Sequence, residues 1–441
     1  MPAPVTTPQL ELPQMFTMET SWQVPDQDEP LWEVQSLLKP FSKGLSPGNR
    51  IGVAVGSRGL AHGASLVKDV CRHLKELGVQ VVLIPAMGSH GGATAQGQAT
   101  VLAEYGITSE NCGALLEPSM NTILVGESHL GTSVYWSSVA AQLDGVLVVN
   151  RIKPHTDFKG MVGSGLMKML VVGLGKREGA SAFHRSSLEH GYETILRAHA
   201  AKILETMPVL GGIAVIENAR HDTESVHPVK AEELLEQEAC LFQRSKALMP
   251  ALPFDDIDLL IVDRMGKNLS GSGMDPNIIG RGVHGYSTHF AEQPQHPRIK
   301  RIMVRELSPE SHGNAIGIGM ADFTTSRLVR SMDHATTFVN AVTAMTLNGA
   351  KVPIHFEKDV DVIRWALSSL TQNVSKEARI LRIRDTLNLD VMEGSVPLLQ
   401  EAKTHAGLKL LEEPFPMRFD ADGNCLPLRL PMHSSGPGGE T

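Results

Sequence analysis

The chain has 441 residues, a formal charge of -8, and 42% hydrophobic but only 5% aromatic residues. That length exceeds what one hydrophobic core usually serves, so two domains of roughly 200 residues each are expected, with cores of Val, Leu, Ile, Ala and Met that suit helices laid on buried parallel strands. No basic run offers a phosphate footprint for nucleic acid, and no stretch approaches the ~18 uninterrupted apolar residues of a membrane span.

Residues 1–48 are rich in Pro and acidic groups, with little periodicity beyond a short helix expected over 31–38, and read as an arm on the surface. From Ile51 the pattern changes. IGVAV is a buried-strand run, 60–77 has helical apolar spacing and VQVVLIPAMG is a second strand, an order that implies a parallel crossover. A helix over 93–105, strands at 122–125 and 145–150, and helices over 166–174 and 195–206 continue the alternation. A Glu-rich helical stretch over 229–248 leads into MPALPFDDID, whose prolines and acids mark a hinge. Beyond it LLIVDRMG, RIMVREL, IGIGMADF and RILRIR read as strands, with a long helix over 334–347, and HSSGPGGET as a flexible tail.

The fold class expected is therefore α/β: two α/β domains, 49–250 and 251–432, with mostly parallel sheets and an active-site cleft between them, an arm over 1–48 and a tail over 433–441. Cys71, Cys112, Cys240 and Cys425 are isolated from one another, with no CxxC pair and no disulfide framework. The opening MPAPVTTPQLELPQ lacks the charged and apolar parts of a signal peptide. A cytoplasmic protein that binds neither nucleic acid nor membrane is expected.

Polar residues cluster where strands end, and in open parallel sheets ligands bind there. Arg58 stands in VGSRG after the first strand of the domain, suited to grip a carboxylate by a bidentate pair. His90 stands in MGSHGGAT, where glycines let the backbone approach a ligand; an ordinary helix-capping loop would read the same way. The densest stretch is VVNRIKPHTDFKGMVGSGLMKMLVVGLGKREGASAFH, residues 148–184. Gly163, Ser164 and Gly165 sit at a helix start whose unpaired N–H groups favour an anion. Lys168 lies among Met167, Met169, Leu170 and Val171, where it either snorkels to solvent or, desolvated, becomes nucleophilic and open to covalent linkage. His90 and His155 on neighbouring strand ends can serve as an acid and base pair, and a third histidine, His184, as a transition-metal ligand.

These residues resemble the nickel-dependent lactate racemase family, which carries a Gly-flanked histidine after an early strand, a later Pro-His pair, a Gly-rich SGxxK and a further histidine. Here they are His90, Pro154 with His155, Ser164 to Lys168, and His184, over roughly 50–220. The resemblance implies a nickel pincer nucleotide, pyridinium-3,5-bisthiocarboxylic acid mononucleotide nickel, attached covalently through Lys168 as a thioamide, with His184 completing the nickel coordination. It also implies His90 and His155 as the proton-handling groups, Arg58 on the substrate carboxylate, and cofactor-biosynthesis proteins as partners. The implied reaction is inversion at C2 of a 2-hydroxy acid by reversible hydride transfer. On the same fold the histidine pair also suits a proton-abstracting epimerase, hydratase or lyase with another metal, or a non-catalytic nucleotide or hydroxy-acid binding protein.

The chain departs from the family in having Val55, Gly56 and Ser57 where an aspartate often precedes the arginine, and in a longer interval from His155 to Lys168. In the second domain VDRMGKNLSGSGMDPNIIGR, 262–281, offers Lys267 as a second carboxylate or hydroxyl contact, with Asn268, Asp275 and Asn277 nearby. So many polar groups point to a larger, hydroxylated or dicarboxylic 2-hydroxy acid.

Overall fold

The computed structural model describes residues 6–21, 32–57, 59–155, 160–282, 296–344, 346–370 and 376–428. They divide into two compact units: Val24–Met249, and Pro250–Thr441 together with Met1–Gln23. Residues 14–20 of the expected arm are thus part of a sheet. Strand β1 (Gln14–Thr20) pairs antiparallel in the sheet of the C-terminal unit, Met18 standing opposite Met392 on one side and Leu410 on the other. Met15, Phe16 and Met18 are fully buried, so this segment is held by the apolar surface it covers. Helix α1 (Val34–Ser42), expected a few residues earlier, buries Leu37, Leu38 and Phe41 in the N-terminal unit.

The N-terminal unit is built from β2 (Arg50–Val55), α2 (Gly63–Glu76), β3 (Gln80–Pro85), α3 (Ala95–Glu104), α4 (Ser109–Cys112), β4 (Leu115–Leu116), β5 (Thr122–Glu127), β6 (Ser133–Ser137), β7 (Gly145–Arg151), α5 (Leu166–Lys168), α6 (Lys176–His190), α7 (Tyr192–Thr206), β8 (Val209–Glu217), β9 (Thr223–Lys230) and α8 (Leu234–Leu248). Its six-stranded sheet runs β4-β3-β2-β7-β8-β9. All neighbours are parallel except β8 and β9. Both faces are buried. Ile51, Val53, Val55, Leu147 and Val149 face α1, α2 and α3, while Ala54, Val146 and Val148 face α5 to α8; this double cover is why the strands read as apolar runs without alternation. The strand expected at 122–125 is instead half of a separate hairpin, β5 with β6.

Two helical expectations change here. The stretch 166–174 is only a short α5 followed by a π-turn over Met169–Gly173, closed by Leu174 N–H donating to the Met169 carbonyl. Such turns widen the helix and free carbonyls; the buried indole of Trp136 donates to the Leu170 carbonyl. The Glu-rich segment from 229 is a strand end followed by α8 from Leu234.

The C-terminal unit holds a nine-stranded sheet in which β10 (Asp256–Met265), β11 (Arg298–Leu307), β12 (Phe323–Thr325), β13 (Ile354–Phe356) and β14 (Ile380–Ile383) are parallel. Antiparallel β15 (Val391–Ser395), β1, β16 (Leu408–Leu410) and β17 (Phe415–Pro416) complete it. IGIGMADF is not a strand: Ile318–Met320 form a 3-10 turn after Gly317 in the left-handed region, and pairing begins only at Phe323. The helix expected over 334–347 ends at Thr343. The tail beyond 428 lies outside the described residues. The α/β class holds in both units, the N-terminal sheet being mostly parallel and the C-terminal one mixed around a parallel core.

Candidate active site

In the N-terminal sheet the chain moves from β2 to β3 and β4 on one side, then returns to β7 and β8 on the other. The strand order therefore reverses between β2 and β7, and ligands of open α/β sheets favour the crevice outside the carboxyl ends of such strands. Ser57 follows β2, His90 follows β3, and His155 and Lys168 follow β7. Arg58 lies outside the described residues.

His90 is exposed at the start of a 3-10 turn, and its Nδ1 meets Ser57 Oγ at 2.5 Å. Tyr105 in turn donates to the Ser57 carbonyl at 3.2 Å. The turn needs its glycine. Gly91 has φ +65°, and a Cβ there would stand 2.6 Å from the backbone of Gly97 and Gln98. The stretch before it leans on the π-turn, with Gly88 N–H donating to the Gly173 carbonyl at 3.0 Å.

His155 is half-buried against Tyr192, ring centroids 5.0 Å apart, and Tyr192 meets Phe183 edge-on at 4.9 Å. Phe183 precedes His184 on α6, so a row of rings joins the two histidines. Lys168 is half-buried, with Nζ donating to Ser164 Oγ at 3.3 Å. Burial, and then the charge of Lys168, push His184 down to about 4, so its imidazole is neutral at pH 7.

The helix start at 163–165 is not an open anion cradle. Ser164 N–H donates to the Lys153 carbonyl, and Met167 N–H donates to Glu238 Oε2 at 2.7 Å. Glu238 comes from α8 and is fully buried. Burial pushes its carboxyl up to about 7 against the backbone donors Met167 and Leu166 and the charge of Arg197. The chain thus supplies its own carboxyl where an outside anion was expected, and a Cβ at Gly165 would collide with Glu238 Oε1. Nothing in the local pattern of α8 announces this, because the partner is 71 positions away.

In the C-terminal unit Lys267 follows β10, its N–H donating to Ser311 Oγ and its Nζ to Asn340 Oδ1, both at 2.8 Å. Ser308, just after β11, bonds Asn268 Oδ1 at 2.6 Å and Ser311 Oγ at 2.7 Å. Asp275 and Asn277 do not join this cluster. Asp275 caps the short helix Pro276–Ile279 and accepts from the N–H and side-chain amide of Asn277, which removes part of the surplus polarity that pointed to a larger substrate. An open groove of about 840 Å³ in the same unit, bordered by Gln14, Arg364, Lys376 and Met417, carries none of the candidate residues. Among the described residues no three His, Cys, Asp or Glu side chains converge, and no helix is long and apolar enough to cross a membrane.

Sequence reasoning singled out His90, His155, Lys168 and His184 but missed Ser57, Gln98, Lys176, Tyr192 and Glu238, which brace them. Lys176, in the quoted GLGKREG, gave no local signal of burial, since charged Arg177 and Glu178 follow it.

No curated protein matches the chain. Among solved structures it is similar to a protein from Thermotoga maritima, 14% identical over 77% of this chain and 84% of that one, with a TM-score of 0.44. It is also similar to the lactate racemase apoprotein from Thermoanaerobacterium thermosaccharolyticum, 13% identical over 85% of this chain and 98% of that one, with a TM-score of 0.48. Residues 35–195, which hold β2 to β7 with His90, His155, Lys168 and His184, match the family model of the lactate racemase N-terminal domain. Residues 35–195 are therefore similar to the lactate racemase N-terminal domain, and the family match extends over that segment of the chain.

Proposed function

We propose that the chain is an isomerase that inverts C2 of a 2-hydroxy acid with a nickel pincer nucleotide tethered to Lys168. The observation that supports this most is that the segment similar to the lactate racemase N-terminal domain holds His90, His155, Lys168 and His184, with a row of rings joining His155 to His184. A neutral imidazole keeps the lone pair that a metal needs, whereas an imidazolium must first lose its proton. Tethering would remove the ammonium of Lys168, but burial, the larger cause, would still hold His184 neutral. With one imidazole at hand, a metal would bring its other donors with it, as soft sulfur and carbon donors of a pincer do. When bound, that group supplies a reversible acceptor for the hydride of C2, so that a planar 2-keto acid can be reduced again on either face.

The chain's own groups bind, orient and move protons. With Nδ1 on Ser57, His90 exchanges the hydroxyl proton of substrate through Nε2. His155, its ring braced by Tyr192, serves the opposite face. Arg58 grips the carboxylate as a bidentate pair.

The test uses protein produced together with the cofactor-building enzymes and a panel of C2-epimer pairs, each acid deuterated at C2. Turnover of one pair with the label kept on the product carbon after many cycles in ordinary water is expected. Rapid loss of label to solvent overturns hydride transfer in favour of proton abstraction by a histidine, because a base exchanges its proton with water.

A further inference from the structure

Lys176 opens α6 and is fully buried, an uncommon place for a lysine because its ammonium must find acceptors there. Its φ of +55° lies in the left-handed region, and a side chain is kept in that conformation only where its surroundings hold it. Two acceptors do so. Nζ donates to the carbonyl of Pro85, the last residue of β3, and to Gln98 Oε1 on α3 at 3.3 Å. Gln98 is itself fully buried and donates Nε2 to the carbonyls of Gly88 at 2.9 Å and His90 at 3.4 Å.

The order of donors decides what this contact does. An amide can present either end to a neighbour, but an ammonium only donates. Lys176 therefore turns the oxygen of Gln98 toward itself and its NH2 toward the two carbonyls of the His90 turn. Burial pushes Lys176 down to about 8, which still leaves it mostly charged, and donor-only, at pH 7. Neither acceptor is charged, so a role as an ion-pair partner is not what these contacts provide.

We propose that Lys176 is the positioning residue of His90, acting through the orientation of Gln98. The consequence for turnover rests on the reading of His90 as a proton-handling group; the clamp itself does not. Two variants separate orientation from packing. Lys176→Met removes the donor. Gln98→Glu keeps volume and gives Lys176 a better acceptor but has no NH2 for the turn.

The readout is carbethoxylation of His90 by diethyl pyrocarbonate in the full chain at pH 7, followed peptide by peptide, with exposed His129 as the internal control. Both variants should raise the rate at His90 relative to His129 by about threefold or more, as expected when a turn loses its anchoring bonds and opens locally. A merely structural lysine would be satisfied by the carboxylate that Gln98→Glu introduces, and His90 in that variant would react as in the wild type. An unchanged His90 rate in Gln98→Glu, or a change there that folded Lys176→Met does not share, overturns the proposal. Where Lys176→Met does not fold, Gln98→Glu decides alone. Labelling needs no turnover, so a wild type inactive on every 2-hydroxy acid would remove the functional reading and leave this test standing. In active protein both variants should lower kcat more than they change KM.

Discussion

In the C-terminal unit Arg305 and Arg382 are buried among opposite charges, whereas Lys176, His184 and Glu238 of the N-terminal unit are buried among carbonyls, amides and rings. Arg382 holds Asp263 by two bonds at 2.8 and 2.9 Å and Glu393 at 3.1 Å. Arg305 joins Asp263 at 2.8 Å and Asp359 at 2.7 Å. Burial works against the Arg305 charge, but Asp263 and Asp359 outweigh it and hold the guanidinium above its usual range. In the N-terminal unit burial wins: Lys176 falls to about 8, His184 to about 4, and Glu238 rises to about 7. The first arrangement locks each group in one state and joins β10, β11 and β14. The second keeps groups neutral or near their switching point, which is what acid–base and ligand chemistry requires.

The largest effect expected of any change is on Lys168. In Lys168→Ala, intact mass and metal analysis should show no cofactor adduct and no retained nickel, with the circular dichroism of the wild type, since a half-buried lysine whose bond to Ser164 is a long one contributes little to the fold. An adduct and nickel equal to those of the wild type would remove Lys168 from the site.

Breaking the other kind of charge should act on stability. Arg382→Met leaves Glu393 and Asp263 short of a partner in the sheet, and removing one member of a buried pair costs about 3–5 kcal/mol. Denaturant midpoints should fall accordingly. A midpoint within error of the wild type would show that the network is not the lock described.

A smaller, pH-dependent effect is expected at Glu238. Its folded-state pKa, about 7, lies above the ordinary 4.5, so the folded chain keeps a proton that the unfolded chain releases between these values. Stability from this group is therefore present below pH 4.5 and is lost as pH rises toward 7. His184 and His199, both pushed down to about 4 by burial, act in the opposite sense, losing stability as pH falls from 6.5 toward 4. The histidines are common to wild type and Glu238→Gln, so the difference between the two isolates Glu238. That difference should grow in favour of the variant across pH 4.5 to 7, by on the order of 2 kcal/mol, and level off above. A difference flat with pH would mean that the carboxyl stays charged throughout.

Much of this was readable in the chain. β2, β3, β7, β10, β11 and β14 showed as apolar runs because they are buried strands, whereas β4, β8, β12 and β13 were not read, and His90, His155, Lys168 and His184 stood out because glycines and strand ends surround them. β1 was not readable: QMFTMET has no loud pattern, and its partners near 392 and 410 come from the far end of the chain. The π-turn was hidden for a similar reason, since MLVVG has ordinary helical spacing and the bond to its freed carbonyl comes from Trp136.

What the sequence determined by itself was therefore local: which segments are buried strands, which turns need glycine, and which reactive side chains stand after strand ends. Tertiary structure alone decided which of those groups are braced and in what charge state. Glu238 fills the helix start that looked open, Gln98 and Lys176 hold the His90 turn, and burial beside Lys168 keeps His184 neutral. The physical reason is that a side chain's pKa and its hydrogen-bond partners depend on what desolvates and faces it, and those neighbours are brought together from distant parts of the chain.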